Sequence, residues 1–269
     1  MGPLSFGQVL DATWAIYRRG FPSFVAVGLL SQVPYVVLVA LTGLLVGGAS
    51  PLGALALVAV FGFLAGVLLQ AASIRLADSF YAGHPTTALQ SVEQVAPILL
   101  PLIALTLLLG VGTSILTIFL IIPGLIFYFR FVLAIPALVI GRDSLWGSFG
   151  DAFRLSRGAF WRIFGASVIF GLAIAVVDGL ISLVVGHAGL SGSPQATYVL
   201  TPTIGGYFGS LGPGLVGGAA VSAVTGSVIP ILLTVLYHDR KAAQTPKEPM
   251  GFMRGPSEVV PPAGEARPE

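Results

Sequence analysis

Long apolar runs, separated by short polar segments, dominate this 269-residue chain. The longest extends from Val95 to Ile140 and contains one charged side chain, Arg130. A helix needs about 20 apolar residues to cross roughly 30 Å of hydrocarbon, so this run predicts two crossings with a reversal at Pro123–Gly124. The same criterion predicts six spanning helices, over residues 24–46, 54–74, 96–120, 124–140, 163–186 and 213–237.

Three polar segments, at residues 4–20, 75–95 and 141–162, are predicted to form short amphipathic helices on the cytoplasmic side. Ser5 with Gln8 matches a capping box, and Thr86 or Thr87 is a candidate cap for the second helix. The first helix either lies in the membrane interface or packs on the protein's own inner face. Gly, Asp and Ala at 7, 11 and 12 recur at 147, 151 and 152, which favours a repeated unit. We therefore predict an all-α integral membrane protein with three helical hairpins.

Composition agrees with a membrane protein, because 55% of residues are hydrophobic and only 9% are charged. Soluble domains are about 25% charged. The chain has no cysteine, which excludes disulfides, thiol catalysis and cysteine metal sites. A net charge of +2 does not indicate a nucleic-acid partner. We expect one transmembrane domain over residues 1–241 and a Pro-rich, disordered cytoplasmic tail over 242–269.

The basic residues predict the orientation of the chain. If the N-terminus is cytoplasmic and the chain changes side at each span, every lysine and every arginine except Arg130 falls on the cytoplasmic side. This is the distribution that the positive-inside rule requires. Both termini are therefore expected in the cytoplasm.

Two charged residues fall inside predicted spans, Arg130 in the fourth and Asp178 in the fifth. A charge at mid-membrane costs about 2.5 to 3.5 kcal/mol on insertion scales. Counting about 1.5 Å per residue from the outer ends of the two spans places both residues about 12 Å deep. Opposite charges at one depth predict an intramembrane ion pair. The pair either locks the two helices together or marks a substrate or proton site.

Aromatic and basic residues are interleaved in the cytoplasmic segments. The arginines keep these segments inside, and they also favour binding of anionic lipid, while the tryptophans and Tyr17 are expected at headgroup depth. The predicted lipid-interface residues are Trp14, Tyr17, Arg18, Arg19, Trp146, Arg154, Arg157, Trp161 and Arg162.

No catalytic apparatus is visible in the sequence. It contains no GxSxG, Walker A, HExxH or Gly-rich nucleotide motif, and His84, His187 and His238 have no second ligand at metal-binding spacing. We therefore predict no catalytic residue, no metal and no cofactor. Gln32 and Gln70, inside the first two spans, are expected to form hydrogen bonds between helices rather than to bind a ligand.

Several segments resemble one family. The run from Ile122 to Ala137, with Pro123-Gly124 and Arg130, and the run from Ser148 to Arg162 are similar to bacterial membrane proteins of the glycerophosphoryl diester phosphodiesterase membrane-domain type. The opening from Phe6 and the ending Leu236-Tyr-His-Asp-Arg240 also resemble that family. The resemblance implies a polytopic helical domain of a bacterial cytoplasmic membrane. The family's catalytic domain is absent, so the resemblance implies no enzymatic activity.

Three functions are compatible with these patterns. The first is a non-enzymatic membrane component that organises or senses lipids or partner proteins, with membrane lipids, another membrane protein or a second copy of the chain as partners. The second is a small transporter or channel with Arg130 and Asp178 near its path, and the third is a membrane-embedded lipid-modifying enzyme. A water-filled cavity that reaches Arg130 favours transport, and a dry, packed ion pair favours the first reading.

Overall fold

The computed structural model describes residues 4–45, 51–141, 144–187 and 217–244, and these residues are almost entirely helical. Six helical segments are long and apolar enough to cross a membrane. Large aliphatic side chains are widely exposed on their surfaces, with Ile118 80% and Leu172 66% exposed. Exposed apolar area of this extent is typical of a surface that contacts lipid rather than water. The chain is thus a multi-pass membrane protein, as the sequence predicts.

The helices are α1 (Phe6–Arg19), α2 (Phe21–Leu45), α3 (Pro51–Tyr81), α4 (Ala88–Val95), α5 (Leu99–Phe119), α6 (Ile121–Phe131), α7 (Ala134–Gly141), α8 (Leu145–Ser156), α9 (Phe160–His187) and α10 (Val228–Gln244). Residues 217–225 are also helical and precede α10 in the last span. α2 packs along α3, α5 packs along α6, and the last span packs against α1, α3 and α9. The arrangement as three repeated hairpins stays a prediction.

The predicted helix starts at Ser5 and Thr87 are confirmed. Each side-chain hydroxyl accepts a hydrogen bond from the backbone N–H three residues later, and the glutamine there, Gln8 or Gln90, accepts one from the backbone of the cap residue. Reciprocal bonds of this kind satisfy two of the backbone donors that the first turn of a helix leaves free.

The chain reverses at Leu120, so the predicted reversal at Pro123–Gly124 is wrong. Leu120 is the single extended residue between α5 and α6. Pro123 lies in the first turn of α6, where its missing N–H breaks no helical hydrogen bond. Gly124 is required for close packing instead, because a Cβ atom there would overlap Thr117 of α5.

The fourth span is divided into two helices rather than continuous over 124–140. Val132 and Leu133 form a turn between α6 and α7, and Pro136 lies in the first turn of α7. Residues Ala134 to Val139 are all buried, so α7 is a core helix. It packs against α3, α5, α8 and α10.

The last span also departs from a continuous helix, because a turn at residues 226–227 separates the helical residues 217–225 from α10. Pro230 has no N–H, so the carbonyl of Gly226 lacks the donor that an unbroken helix would give it. The Tyr17 hydroxyl donates to the carbonyl of Val224 at 2.7 Å, and the hydroxyls of Ser73 and Ser227 share a hydrogen bond of 2.8 Å. These contacts fix the break against α1 and α3.

Two helices extend beyond their predicted apolar spans. α3 continues to Tyr81 instead of ending at residue 74, and α10 continues to Gln244 instead of residue 237. Both extensions carry polar residues that contact each other at one end of the bundle, so the helices need not stop where the apolar run stops. The segment between the fifth and sixth predicted spans, residues 187–212, and the predicted tail, residues 242–269, lie almost wholly outside the described residues.

A close approach between α2 and the last span provides a test of the fold. A Cβ atom at Gly28 of α2 would overlap the backbone of Ala223 in the last span. We expect Gly28→Ala to destabilise the protein by about 1 to 3 kcal/mol, because overpacking at a backbone contact forces the helices apart. The measurement is the apparent Tm in detergent.

The matched control is Gly171→Ala in α9, where no atom lies within 4 Å of the added Cβ. This variant should keep or raise the Tm, because alanine favours a helix over glycine by about 1 kcal/mol. Equal Tm changes for the two variants would contradict the close approach of α2 and the last span.

Candidate functional site

Polar side chains from α3, α9 and α10 meet at one end of the helical bundle. Asp239, only 5% exposed, is the centre of this group. Its Oδ1 accepts a hydrogen bond of 2.7 Å from the backbone N–H of Leu4, and its Oδ2 lies 3.2 Å from Nη1 of Arg162. Arg240 Nε is 3.8 Å from the same oxygen. One carboxylate thus joins the N-terminal segment, the start of α9 and the end of α10.

A second polar contact joins α3 and α10 beside this carboxylate. His238 Nε2 lies 2.7 Å from Oδ1 of Asp78, and the His238 ring stacks on Tyr81 with centroids 4.5 Å apart. We call Asp78, Arg162, His238, Asp239 and Arg240 together the polar layer. Its charges contact one another, so their main effect is to hold the ends of three helices in register.

The sequence patterns do not predict the polar layer, because His238 and Asp239 follow directly after the sixth predicted span, which ends at residue 237. A signal was present, because Arg162 directly precedes the fifth predicted span on the side where Asp239 follows the sixth. Opposite charges at the ends of two spans on one side of the membrane are able to pair. Sequence position alone does not show that α10 would carry Asp239 inward rather than towards solvent.

The predicted ion pair between Arg130 and Asp178 is not formed. The ring of Phe129, next to Arg130, contacts the ring of Phe164 in α9, with centroids 5.0 Å apart. Phe164 lies about 21 Å from Asp178 along α9, at about 1.5 Å per residue. The prediction assumed that the fourth and fifth spans end at one level, but α9 is a single helix of 28 residues and α6 has only 11.

Arg130 contacts an aromatic ring instead of a carboxylate. Its guanidinium lies 4.2 Å from the centroid of the Phe153 ring in α8, and the guanidinium of Arg157 lies 5.0 Å from the same centroid. A cation over an aromatic ring gains about 0.5 to 2 kcal/mol. Asp178 is partly buried, and its Oδ1 has no hydrogen-bond partner among the described residues. The two charges are therefore separate features of the membrane domain.

Seven of the nine predicted lipid-interface residues are exposed, and we call these seven the aromatic–basic belt. They are Trp14, Arg18, Arg19, Trp146, Arg154, Arg157 and Trp161. The belt residues of α8 and α9 are next to the polar layer, since Trp161 precedes Arg162 and the carbonyl of Arg154 accepts a hydrogen bond from Gln244.

The other two residues, Tyr17 and Arg162, point inward and correct the prediction. Tyr17 is 8% exposed and donates its hydroxyl hydrogen bond to Val224, while Arg162 pairs with Asp239. Burial raises the pKa of the Tyr17 phenol above its ordinary value, which keeps the hydroxyl protonated as a donor. Their periodicity matched an interfacial helix, but each has a specific polar partner inside the protein.

Two of the cavities that described residues line are located elsewhere in the bundle, and neither of these includes Arg130 or Asp178. The larger, about 380 Å³, is located between α3, α5 and the break in the last span. The smaller, about 200 Å³, is located between α2 and residues 219–220. Within the described part of the chain, no three His, Asp or Glu residues are close enough together to hold a metal ion.

No family model, no curated protein and no solved structure matches this chain. The family resemblance seen in the sequence therefore stays a prediction, and functional inference depends on the geometry above.

The role of Asp239 can be separated from that of a surface carboxylate. We expect Asp239→Asn to destabilise the protein by about 3 kcal/mol, because Arg162 and Arg240 would lose their buried counter-charge. Asp151→Asn is the control, since Asp151 forms an exposed ion pair with Arg154 in the same helix and should cost less than about 1 kcal/mol.

Both variants are measured by thermal unfolding in detergent at one pH. If Asp239→Asn unfolds at the wild-type temperature, the polar layer does not hold the helix ends together.

Proposed function

We propose that this protein is a non-enzymatic component of a bacterial cytoplasmic membrane that binds anionic lipids at its inner face and organises lipids or partner proteins there. Both termini are on the cytoplasmic side in this proposal, which agrees with the distribution of lysine and arginine. The resemblance to the glycerophosphoryl diester phosphodiesterase membrane-domain family, which implies a polytopic helical domain, supports the same reading.

The observation that carries the proposal is the aromatic–basic belt. Trp14, Trp146 and Trp161 are 57%, 74% and 78% exposed, which is unusual for the largest side chain in a folded protein. Tryptophan is enriched at membrane–water interfaces, where its ring contacts apolar chains and its N–H remains near polar groups. Three exposed tryptophans on α1, α8 and the start of α9 therefore favour a lipid interface rather than open water.

The charge of the belt favours lipids with anionic headgroups. Arg18, Arg19, Arg154 and Arg157 are exposed, and the only carboxylate paired with them among the described residues is Asp151, which lies 2.8 Å from Arg154. A basic residue near an anionic membrane surface gains about 1 kcal/mol. The belt therefore carries a net positive charge that attracts phosphate groups. This attraction is additional to the effect by which arginines keep a segment on the cytoplasmic side.

The polar layer supports a non-enzymatic role. Its carboxylates are each bound to a histidine or an arginine, and neither of the two cavities includes one of them. An acid–base mechanism needs a titratable group within hydrogen-bond reach of a bound substrate.

Transport is the second candidate, and the break in the last span is the observation that favours it. Broken helices commonly form the binding sites of membrane transporters. A path through Arg130 and Asp178 is not supported, because these residues are about 20 Å apart along the bundle and line neither cavity.

Lipid preference tests the proposal. The full chain, reconstituted in phosphatidylcholine nanodiscs, is titrated with brominated phosphatidylglycerol, and quenching of tryptophan fluorescence is measured. We expect Arg154→Gln with Arg157→Gln to weaken phosphatidylglycerol binding by about tenfold, since two arginines contribute about 1 kcal/mol each and one is already paired.

The control removes the same charge from the C-terminal tail, with Lys247→Gln and Arg254→Gln, and should leave quenching unchanged. Equal quenching by brominated phosphatidylglycerol and brominated phosphatidylcholine would refute the preference for anionic lipid.

A further inference from the structure

The larger cavity has the size and position of a ligand site within the membrane domain. Its volume of about 380 Å³ lies in the range of small-molecule pockets. Gln70 lies about 12 Å from Asp78 along α3, so the cavity is removed from the polar layer towards the middle of the bundle. The lining residues come from α3, α5 and the last span: Phe63, Gly66, Val67, Leu69, Gln70, Thr106, Gly226, Ile229 and Pro230.

One wall of the cavity is the break in the last span. Gly226 and Pro230 both line it, and Pro230 cannot donate a hydrogen bond to the Gly226 carbonyl. Among the described residues, no backbone N–H outside the helical hydrogen bonds donates to that carbonyl either. A Cβ at Gly226 would lie 2.5 Å from the carbonyl oxygen of Ser222 and 2.7 Å from Cδ2 of Leu69, so the turn is closely packed at this glycine. Gly226, whose carbonyl is free, is therefore a closely packed part of the wall.

The wall that α3 forms carries an amide without a partner. Gln70 lines the cavity, and its side chain forms no hydrogen bond to any residue that the structure describes. Thr106, the other polar side chain of the wall, donates its hydroxyl to the carbonyl of Leu102 and is satisfied. The prediction that Gln70 bonds a neighbouring helix is thus wrong. A polar group in an apolar environment is costly unless something supplies its hydrogen bonds.

We propose that this cavity binds an uncharged, largely apolar molecule that carries a hydroxyl group, namely an alcohol dissolved in the bilayer. None of the lining residues has an ionisable side chain, which excludes a charged ligand. The Gly226 carbonyl only accepts hydrogen bonds, whereas the Gln70 amide both donates and accepts. A hydroxyl matches both, because it can donate to the carbonyl and accept from the amide.

The site does not depend on the aromatic–basic belt, so the lipid preference proposed above and this cavity can fail separately. The second cavity provides an internal comparison. It contains Gln32, but it is about half as large, and its lining residues include no proline and no residue of the break. Gln32 is thus a suitable control, because it is a glutamine in another span and its cavity lacks the free Gly226 carbonyl.

The experiment uses the full chain in phosphatidylcholine vesicles and two photoreactive probes. One is a long-chain fatty alcohol with a diazirine in its chain, and the other is the methyl ether of the same compound. After irradiation, mass spectrometry locates the adducts. We expect saturable labelling of the cavity residues by the alcohol, in competition with unmodified alcohol, and labelling by the ether that is at least severalfold weaker.

Three variants identify the groups responsible. Gln70→Leu should raise the half-saturating alcohol concentration about three- to tenfold, the effect of one lost hydrogen bond, and Gln32→Leu should leave it unchanged. Gly66→Leu should abolish the labelling, because nothing lies within 4 Å of its Cβ and the new side chain fills the cavity.

Equal, non-saturable labelling by the alcohol and the ether would mean that the cavity only admits acyl chains from the bilayer, and the proposal would be wrong. Wild-type labelling in both Gln70→Leu and Gly66→Leu would also overturn it. Because Gly66→Leu leaves the amide in place, it remains informative if Gln70→Leu does not fold.

Discussion

Hydrocarbon offers no water to a free backbone N–H or C=O, and this constraint governs each irregular point of the fold. The reversal between α5 and α6 uses one extended residue, with a proline in the following turn where no donor is lost. At the break in the last span, the Tyr17 hydroxyl donates a hydrogen bond to the carbonyl of Val224. A hydrogen bond between Ser227 and Ser73 connects the break to α3. Buried Ser31, Thr13 and Thr234 bond the carbonyls of their own helices. Side-chain hydroxyls therefore supply part of the hydrogen bonding that water provides elsewhere.

The same constraint explains how polar groups are distributed between the bundle and its end. The charges of the polar layer meet where the N-terminal segment, the start of α9 and the end of α10 converge on Asp239. Arg130 and Asp178 lie apart from this layer within the bundle. Charges without a protein partner, such as Arg18 and Arg157, are exposed beside tryptophan. This arrangement separates a structural set of charges, which stabilise the fold, from a surface set, which is available to lipid headgroups.

Sequence patterns predicted the spans well because bilayer thickness and residue hydrophobicity together determine them. The caps at Ser5 and Thr87 were equally clear, since a capping box involves only residues within one helical turn. The pairing of Arg130 with Asp178 failed because it depended on the relative depth of two helices, which distant contacts such as Phe129 with Phe164 determine. Tyr17 and Arg162 were assigned to lipid for a related reason: periodicity identifies a face of a helix, but not which face finds a specific partner. The break near Gly226 results from Pro230 and from hydrogen-bond partners far away in the chain, such as Tyr17. Counting apolar residues along the sequence does not detect such a break.

The bonds that hold α1 connect opposite ends of the chain, and this has a consequence for biogenesis. Leu4 bonds Asp239 across 235 positions, and Tyr17 bonds Val224 across 207. At roughly 5 to 20 residues per second, the ribosome needs on the order of 10 to 50 s to add the partners of α1 after α1 itself. During that time the first helix has its aromatic and basic residues but not its final docking site. Docking of α1 thus awaits synthesis of the last span and α10, so a chain truncated before Val224 lacks both bonding partners of its N-terminal helix.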